Sequence, residues 1–242
     1  KQPWELYQIS QDYSQATDLA AAQPGRLDAM QKLFLAEARK FQVLPLDPRS
    51  NERISPQLRP SLTPGRKVFT YYGSQLNLYD SLAPQVRNQS HTISAEIVVP
   101  KNGGDGVIVS AGGRMGGYAL FVKDGRVHYT YNFVGQEWTN LDSTEKLPPG
   151  PATVTFRFDY DGGGTGKGGN ATLGVNGKTV AEKHIPRTAP TIFYWYETFD
   201  LGEDVGTPVG DYPSSFRFPG EIKQVTIEIL DSGAKKSASS TP

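Results

Sequence analysis

The stretch TVTFRFDY at residues 153–160 alternates apolar and polar side chains with a period of two. Its even-numbered positions, from Val154 to Tyr160, are apolar or aromatic, whereas its odd-numbered positions are polar or charged. This alternation predicts a β-strand with one face in a core and the other face in solvent. The same pattern recurs in the segments 92–99, 127–133 and 225–229.

Two dipeptides predict tight turns between such strands. Asp124-Gly125 and Asn176-Gly177 each stand between two apolar runs, and Asx-Gly pairs favour two-residue hairpin turns. The runs amount to about ten to twelve strands within roughly 165 residues, more than the seven of an immunoglobulin sandwich. We therefore predict a mainly β fold, an antiparallel two-sheet jelly-roll sandwich preceded by a short α-helical segment.

The beginning of the chain has a different pattern. Apolar residues recur at spacings of three or four from Leu27 to Phe41, which predicts an amphipathic helix over about 25–41. One helix has too little apolar surface to form a core of its own, so we expect it to dock elsewhere.

The composition divides the chain into four parts. Residues 1–47 hold the helix, and 48–66 are proline-rich and predict an extended linker. Residues 67–230 form the sandwich, and 231–242 lack large apolar side chains and predict a disordered tail.

Charge and residue usage exclude several classes of function. The 25 Lys and Arg residues balance 25 Asp and Glu residues, so no net positive field attracts nucleic acid or an anionic membrane surface. No apolar stretch reaches the length of a membrane helix. The chain has no cysteine, and its three histidines have neither ligand nor triad spacing, so we predict no catalytic residue. The absence of cysteine suits the cytoplasm and the periplasm of a bacterium alike.

A cluster of acidic residues lies around Gly202, Gly206 and Gly210, late in the chain. Glu197, Asp200, Glu203 and Asp204, with Asp211 nearby, are candidates for a calcium site, because carboxylate oxygens are the ligands that calcium prefers. Their spacing does not match the helix-loop-helix calcium motif. A solvated acidic loop and an interdomain contact are the two other interpretations.

Aromatic residues supply candidate contact sites. Alternation sends Tyr194 and Tyr196 to the side opposite Trp195, so at least one set points outward. Exposed rings on a sandwich stack on carbohydrate or on another domain, and a partly covered core is the alternative. The candidates for carbohydrate or interdomain contact are Trp138, Tyr194, Trp195 and Tyr196.

Two ordered blocks of sequence carry a family resemblance. The first comprises WELY at 4–7 and VLPL at 43–46, and the second comprises GGRMGGY at 112–118, DYDGGG at 159–164 and ETFDLGED at 197–204. Over about 4–230 the chain resembles the C-terminal region of bacterial arylsulfatases. That region comprises the end of the sulfatase domain followed by a concanavalin- or laminin G-like jelly roll.

The resemblance implies a parent enzyme that hydrolyses sulfate esters with formylglycine and a calcium or magnesium ion. In that family the formylglycine arises within a C/S-x-P-x-R motif, which this chain lacks. We therefore expect a C-terminal accessory fragment that is inactive alone, needs no cofactor itself, and has the catalytic sulfatase domain of the same polypeptide as its partner. The alternative is a lectin-like module that binds sulfated or neutral glycans, and a third possibility is self-association through the helix.

Overall fold

The computed structural model describes residues 3–46, 62–80, 82–193 and 196–231. The chain divides into two compact units, residues 1–50 and 51–242. The predicted linker lies mostly, and the predicted tail almost wholly, outside the described residues, so both remain predictions.

The first unit contains one helix, α1 (Pro24–Lys40). Proline at its first turn suits a position whose N–H has no helical partner, and Arg39 and Lys40 face the negative end of the helix dipole. Trp4 and Phe34 pack in an edge-to-face arrangement with 5.4 Å between ring centroids. Most apolar side chains of the helix and of the residues after it are nevertheless exposed. No helix among the described parts of the chain is long and apolar enough to cross a membrane.

The second unit is a sandwich of two six-stranded antiparallel sheets, and the predicted fold class is confirmed. The first sheet has the order β1-β12-β3-β8-β9-β10, and the second has the order β2-β11-β4-β5-β6-β7. The strands are β1 (Val68–Tyr71), β2 (Gln75–Leu78), β3 (His91–Val99), β4 (Gly106–Gly113), β5 (Gly116–Lys123), β6 (Arg126–Phe133), β7 (Glu137–Lys146), β8 (Gly150–Tyr160), β9 (Gly169–Val175), β10 (Lys178–Ile185), β11 (Phe199–Leu201) and β12 (Glu221–Ile229).

The core lies between the sheets, as the alternation predicts. In β8 the even-numbered side chains from Val154 to Phe158 are buried, and Phe156 stacks on Tyr129 of the opposite sheet with 3.6 Å between centroids. Both predicted hairpins form. Asp124 and Gly125 have φ of 53° and 72°, the left-handed conformations that a two-residue hairpin turn requires.

A long loop, residues 202–220, leaves the second sheet after β11 and returns to the first sheet at β12. Its two ends meet, since the Phe218 N–H donates to the Gly202 carbonyl at 2.8 Å. We call this segment the covering loop, because it lies across the outer face of the second sheet.

Candidate functional site

The outer face of the second sheet is polar on β6 and β7. Alternation turns Thr130 and Asn132 outward from β6, and they pair across the sheet with Asn140 and Trp138 of β7, respectively. Strand β7 lies at the edge of this sheet. The indole is 46% exposed.

The covering loop packs on the neighbouring strands β4 and β5. Val209 and Tyr212 of the loop form a second apolar cluster with Val107, Ala119 and Phe121. The Tyr212 ring lies 4.8 Å from the Phe121 ring, centroid to centroid. This packing anchors the loop on one half of the sheet face and leaves the half that carries Trp138 open.

Asn132 fixes the loop and a hairpin to β6. Its fully buried amide nitrogen donates to the carbonyls of Gly113 and Arg114 at 3.1 Å each and to that of Val209 at 3.3 Å. Two hydrogens thus serve three acceptors, while the Asn132 carbonyl accepts from the Gly135 N–H at 2.8 Å. The β4–β5 turn and the covering loop are therefore held at set positions on the sheet.

Between these elements lies an open groove of about 430 Å³, which we call the Trp138 groove. Its size is within the range of about 300–1,000 Å³ for small-molecule sites. The residues that line it are Arg114, Trp138, Asn140, Pro208, Val209, Gly210, Asp211 and Tyr212.

The side chains of the groove are oriented by hydrogen bonds. The indole Nε1–H of Trp138 donates to the Val209 carbonyl at 3.1 Å, so the ring plane is fixed while much of it remains exposed. The Asn140 carbonyl oxygen accepts from the Thr130 hydroxyl at 2.9 Å. The Asn140 amide nitrogen makes no hydrogen bond within the described residues, which leaves two donors directed to a ligand or to water.

Two of the four acidic candidates, Asp200 and Asp204, are buried, so the cluster is not wholly a solvated loop. Asp200, in β11, and Asp204, in the covering loop, are each 1% exposed. The Asp204 carboxylate accepts from the Tyr212 hydroxyl at 2.7 Å and from the Gly206 N–H at 3.1 Å. Burial raises the pKa of Asp204 to about 6 and also raises the pKa of Asp200.

The other two acidic candidates are more accessible. Glu197 accepts hydrogen bonds from the Thr207 hydroxyl at 2.5 Å and from the Thr207 N–H at 3.2 Å, and Glu203 is half-buried. Within residues 3–46, 62–80, 82–193 and 196–231, no three acidic or histidine side chains are placed to hold one metal ion. Calcium binding by this cluster stays a prediction without a test.

The structure separates the aromatic candidates. Trp138 lines the groove, whereas Tyr196 is 97% exposed and forms no part of it. Tyr194 and Trp195 lie outside the described residues. The sequence analysis did not select Arg114, Asn132 or Asn140, although the alternation in 127–133 already places Asn132 on the outer face.

A second cavity lies inside the sandwich, next to the buried imidazole of His91. It has about 10 Å³ of free volume, enough for one water molecule and too small for an organic ligand. The His91 Nδ1 contacts the Gln89 carbonyl at 3.1 Å, and Nε2 has no hydrogen-bond partner among the described atoms. Burial lowers the pKa of His91 to about 4, so the ring is neutral at physiological pH.

No family model and no curated protein matches the chain. Several solved structures are similar to it. The CBM40 of the Ruminococcus gnavus IT-sialidase, bound to α2,6-sialyllactose, shares 15% identity over 67% of this chain and 94% of its own, with a TM-score of 0.48. Domains LG4–5 of the mouse laminin α1 chain share 19% identity over 72% of this chain and 43% of their own, with a TM-score of 0.44. The SAP-like pentraxin from Limulus polyphemus shares 13% identity over 69% of this chain and 79% of its own, with a TM-score of 0.38.

These neighbours are jelly-roll-like sandwiches, and likeness at this level concerns the fold alone. None of the comparisons points to a sulfatase origin. The class defined by the strand order is thus an antiparallel two-sheet β-sandwich with a groove on its outer face.

Proposed function

We propose that the sandwich is a saccharide-binding module whose ligand lies in the Trp138 groove. The observation that carries the proposal is the half-exposed indole of Trp138, held in one orientation by its hydrogen bond to Val209. Large exposed aromatic surface is unfavourable in water unless a ligand covers it, and a preoriented ring loses little entropy on binding.

The chemistry around the indole suits a sugar. One face of a pyranose ring is lined by C–H groups and its rim by hydroxyls, so it needs an apolar platform with polar groups beside it. Trp138 supplies the platform, and the amide nitrogen of Asn140 and the guanidinium of Arg114 supply donors. Pro208 and Val209 form the apolar wall.

The experiment is a glycan array followed by titration calorimetry on the best ligand. We expect Trp138→Ala to weaken binding tenfold or more, because exposed anchor residues of this kind dominate binding energy. Tyr79→Ala removes a more exposed ring outside the groove and serves as the control. Absence of any glycan ligand, or equal binding by Trp138→Ala, would refute the proposal.

As a second function we propose that the first unit docks on a catalytic domain of the same polypeptide, as the arylsulfatase resemblance implies. The supporting observation is the exposed apolar surface after and along α1, which includes Leu33 at 62% and Phe41 at 66% exposure. Such surface on a 17-residue helix is unusual unless a partner covers it. The full amino-acid sequence lacks a C/S-x-P-x-R motif, so we derive no catalytic step from this chain.

The complete reading frame provides the test of this second function. It predicts a C/S-x-P-x-R motif upstream, and Leu33→Ser with Phe41→Ser in that longer protein is expected to lower its stability and its aryl sulfatase activity. Tyr13→Ser, which alters a still more exposed residue before the helix, is the control. An upstream sequence without the motif would contradict the docking proposal.

A further inference from the structure

The charges in the Trp138 groove do not cancel. Asp211 is the only acidic residue among those lining it, and its carboxylate is paired with Lys123, whose Nζ lies 2.8 Å from Oδ2. The same Nζ donates to the Asp211 carbonyl at 2.8 Å. This pairing lowers the pKa of Asp211. The carboxylate already has a cationic partner in Lys123.

Arg114 has no such partner. Within the described residues no carboxylate lies within ion-pair distance of its guanidinium, and the side chain is exposed at the mouth of the groove. The carboxylate of Glu197, which lies beside Gly113, accepts hydrogen bonds from Thr207 instead.

The backbone of Arg114 is fixed, although its guanidinium makes no hydrogen bond or ion pair within the described part of the chain. Its N–H donates to the Thr207 hydroxyl at 2.9 Å, and its carbonyl accepts from Asn132 at 3.1 Å. A cation on an immobile turn, beside an oriented indole, is preorganised for a ligand that presents a negative group next to a ring.

We infer that the ligand of the Trp138 groove is an acidic saccharide, whose carboxylate or sulfate is bound by Arg114 while a sugar ring stacks on Trp138. The inference rests on the proposed saccharide-binding function and specifies its ligand. The planar guanidinium presents parallel N–H donors that match the oxygens of either anion, and the Asn140 amide donates to ring hydroxyls on the same side.

The test compares matched glycans that differ only in charge. An array carrying neutral oligosaccharides, their sialylated forms and their sulfated forms is probed with the wild-type chain at low and physiological salt. We expect at least one acidic form to bind tenfold or more tightly than its neutral parent, and that preference to shrink as salt rises. The sialylated and sulfated arms distinguish which anion is recognised.

Two variants assign the preference to the groove. Arg114→Gln is expected to weaken binding of the acidic glycan roughly tenfold to hundredfold, and to leave binding of the neutral parent unchanged. Arg126→Gln, which removes an exposed cation from the far end of β6, keeps the preference. Because Arg114 and Arg126 are both exposed, neither variant endangers the fold.

The outcomes separate the two proposals. Equal binding of neutral and acidic glycans, both lost in Trp138→Ala, overturns the inference and leaves saccharide binding standing. A preference for acidic glycans that persists in Arg114→Gln also overturns it. Failure of every neutral and acidic glycan to bind overturns saccharide binding, and the inference with it.

Discussion

Substitution of Asp204 by asparagine is predicted to change how the stability of the sandwich depends on pH. Burial raises the pKa of the Asp204 carboxyl from 3.8 to about 6 in the folded protein. The folded state therefore binds more protons than the unfolded chain between about pH 4 and pH 6, and the free energy of unfolding falls as pH rises through that window. A shift of roughly two units corresponds to about 3 kcal/mol.

The wild-type curve alone does not reveal this effect, because His91 acts in the opposite direction. Its pKa falls from 6.5 to about 4 on folding, so the unfolded chain binds the extra proton and stability rises with pH between those values. The two buried groups largely offset one another. The informative quantity is the difference between the unfolding free energies of wild type and Asp204→Asn at each pH.

The assay is urea unfolding, followed by tryptophan fluorescence, at pH values from 4 to 7.5. We expect wild type to lose about 3 kcal/mol relative to Asp204→Asn across the range, because the neutral amide cannot ionise. Asp211→Asn is the control of opposite sign. The pKa of Asp211 is lowered by Lys123, so the stability that Asp211 contributes is lost as pH falls. A difference between wild type and Asp204→Asn that is constant with pH would refute the reasoning.

Two further substitutions test how the groove and the hairpins are built. Asn132→Ala removes the side-chain amide that bonds the carbonyls of Gly113, Arg114 and Val209, and it leaves the Gly135 N–H without its partner. We expect a loss of about 2–4 kcal/mol in urea unfolding, with weaker glycan binding. An unchanged midpoint would show that Asn132 does not join the loop to β6. The methyl group of Gly177→Ala has free space, but the alanine must adopt the φ of +80° that Gly177 has. We therefore expect the free energy of unfolding to fall by about 1–2 kcal/mol, and to fall less in Gly177→Asn, because asparagine tolerates that conformation. Equal stability of all three proteins would show that the turn does not need a left-handed residue.

The sandwich was predictable because its determinants are local. Alternation over 153–160 specifies which side chains enter the core, and this holds whatever sheet order the strands adopt. The Asx-Gly turns were predictable for a similar reason, since Asp124 and Asn176 tolerate positive φ and each precedes a glycine. Prediction succeeded where a segment of ten residues contains the whole physical cause.

The groove was not predictable by the same means, because it joins residues far apart in the chain. Trp138 was selected as an exposed aromatic, but the carbonyl that orients it belongs to Val209, 71 residues later. The burial of two members of the acidic cluster was not predictable either, for the same reason. Asp204 looks solvated in a glycine-rich loop, and only the fold of that loop over β5 reveals the Tyr212 hydroxyl that makes its burial tolerable.

The covering loop contributes both to the stability of the sandwich and to the shape of the groove, so the stability and binding measurements can be compared for each variant. Asn132 and Asp204 act on binding only by holding the loop, whereas Trp138 and Arg114 are exposed and act on the ligand directly. Substitutions of the first pair must lower stability whenever they lower affinity, and substitutions of the second pair must lower affinity at constant stability. If Asn132→Ala kept full stability but lost binding, Asn132 would contact the ligand directly. The ligand would then reach β6 itself, at a position that the covering loop occupies in this structure.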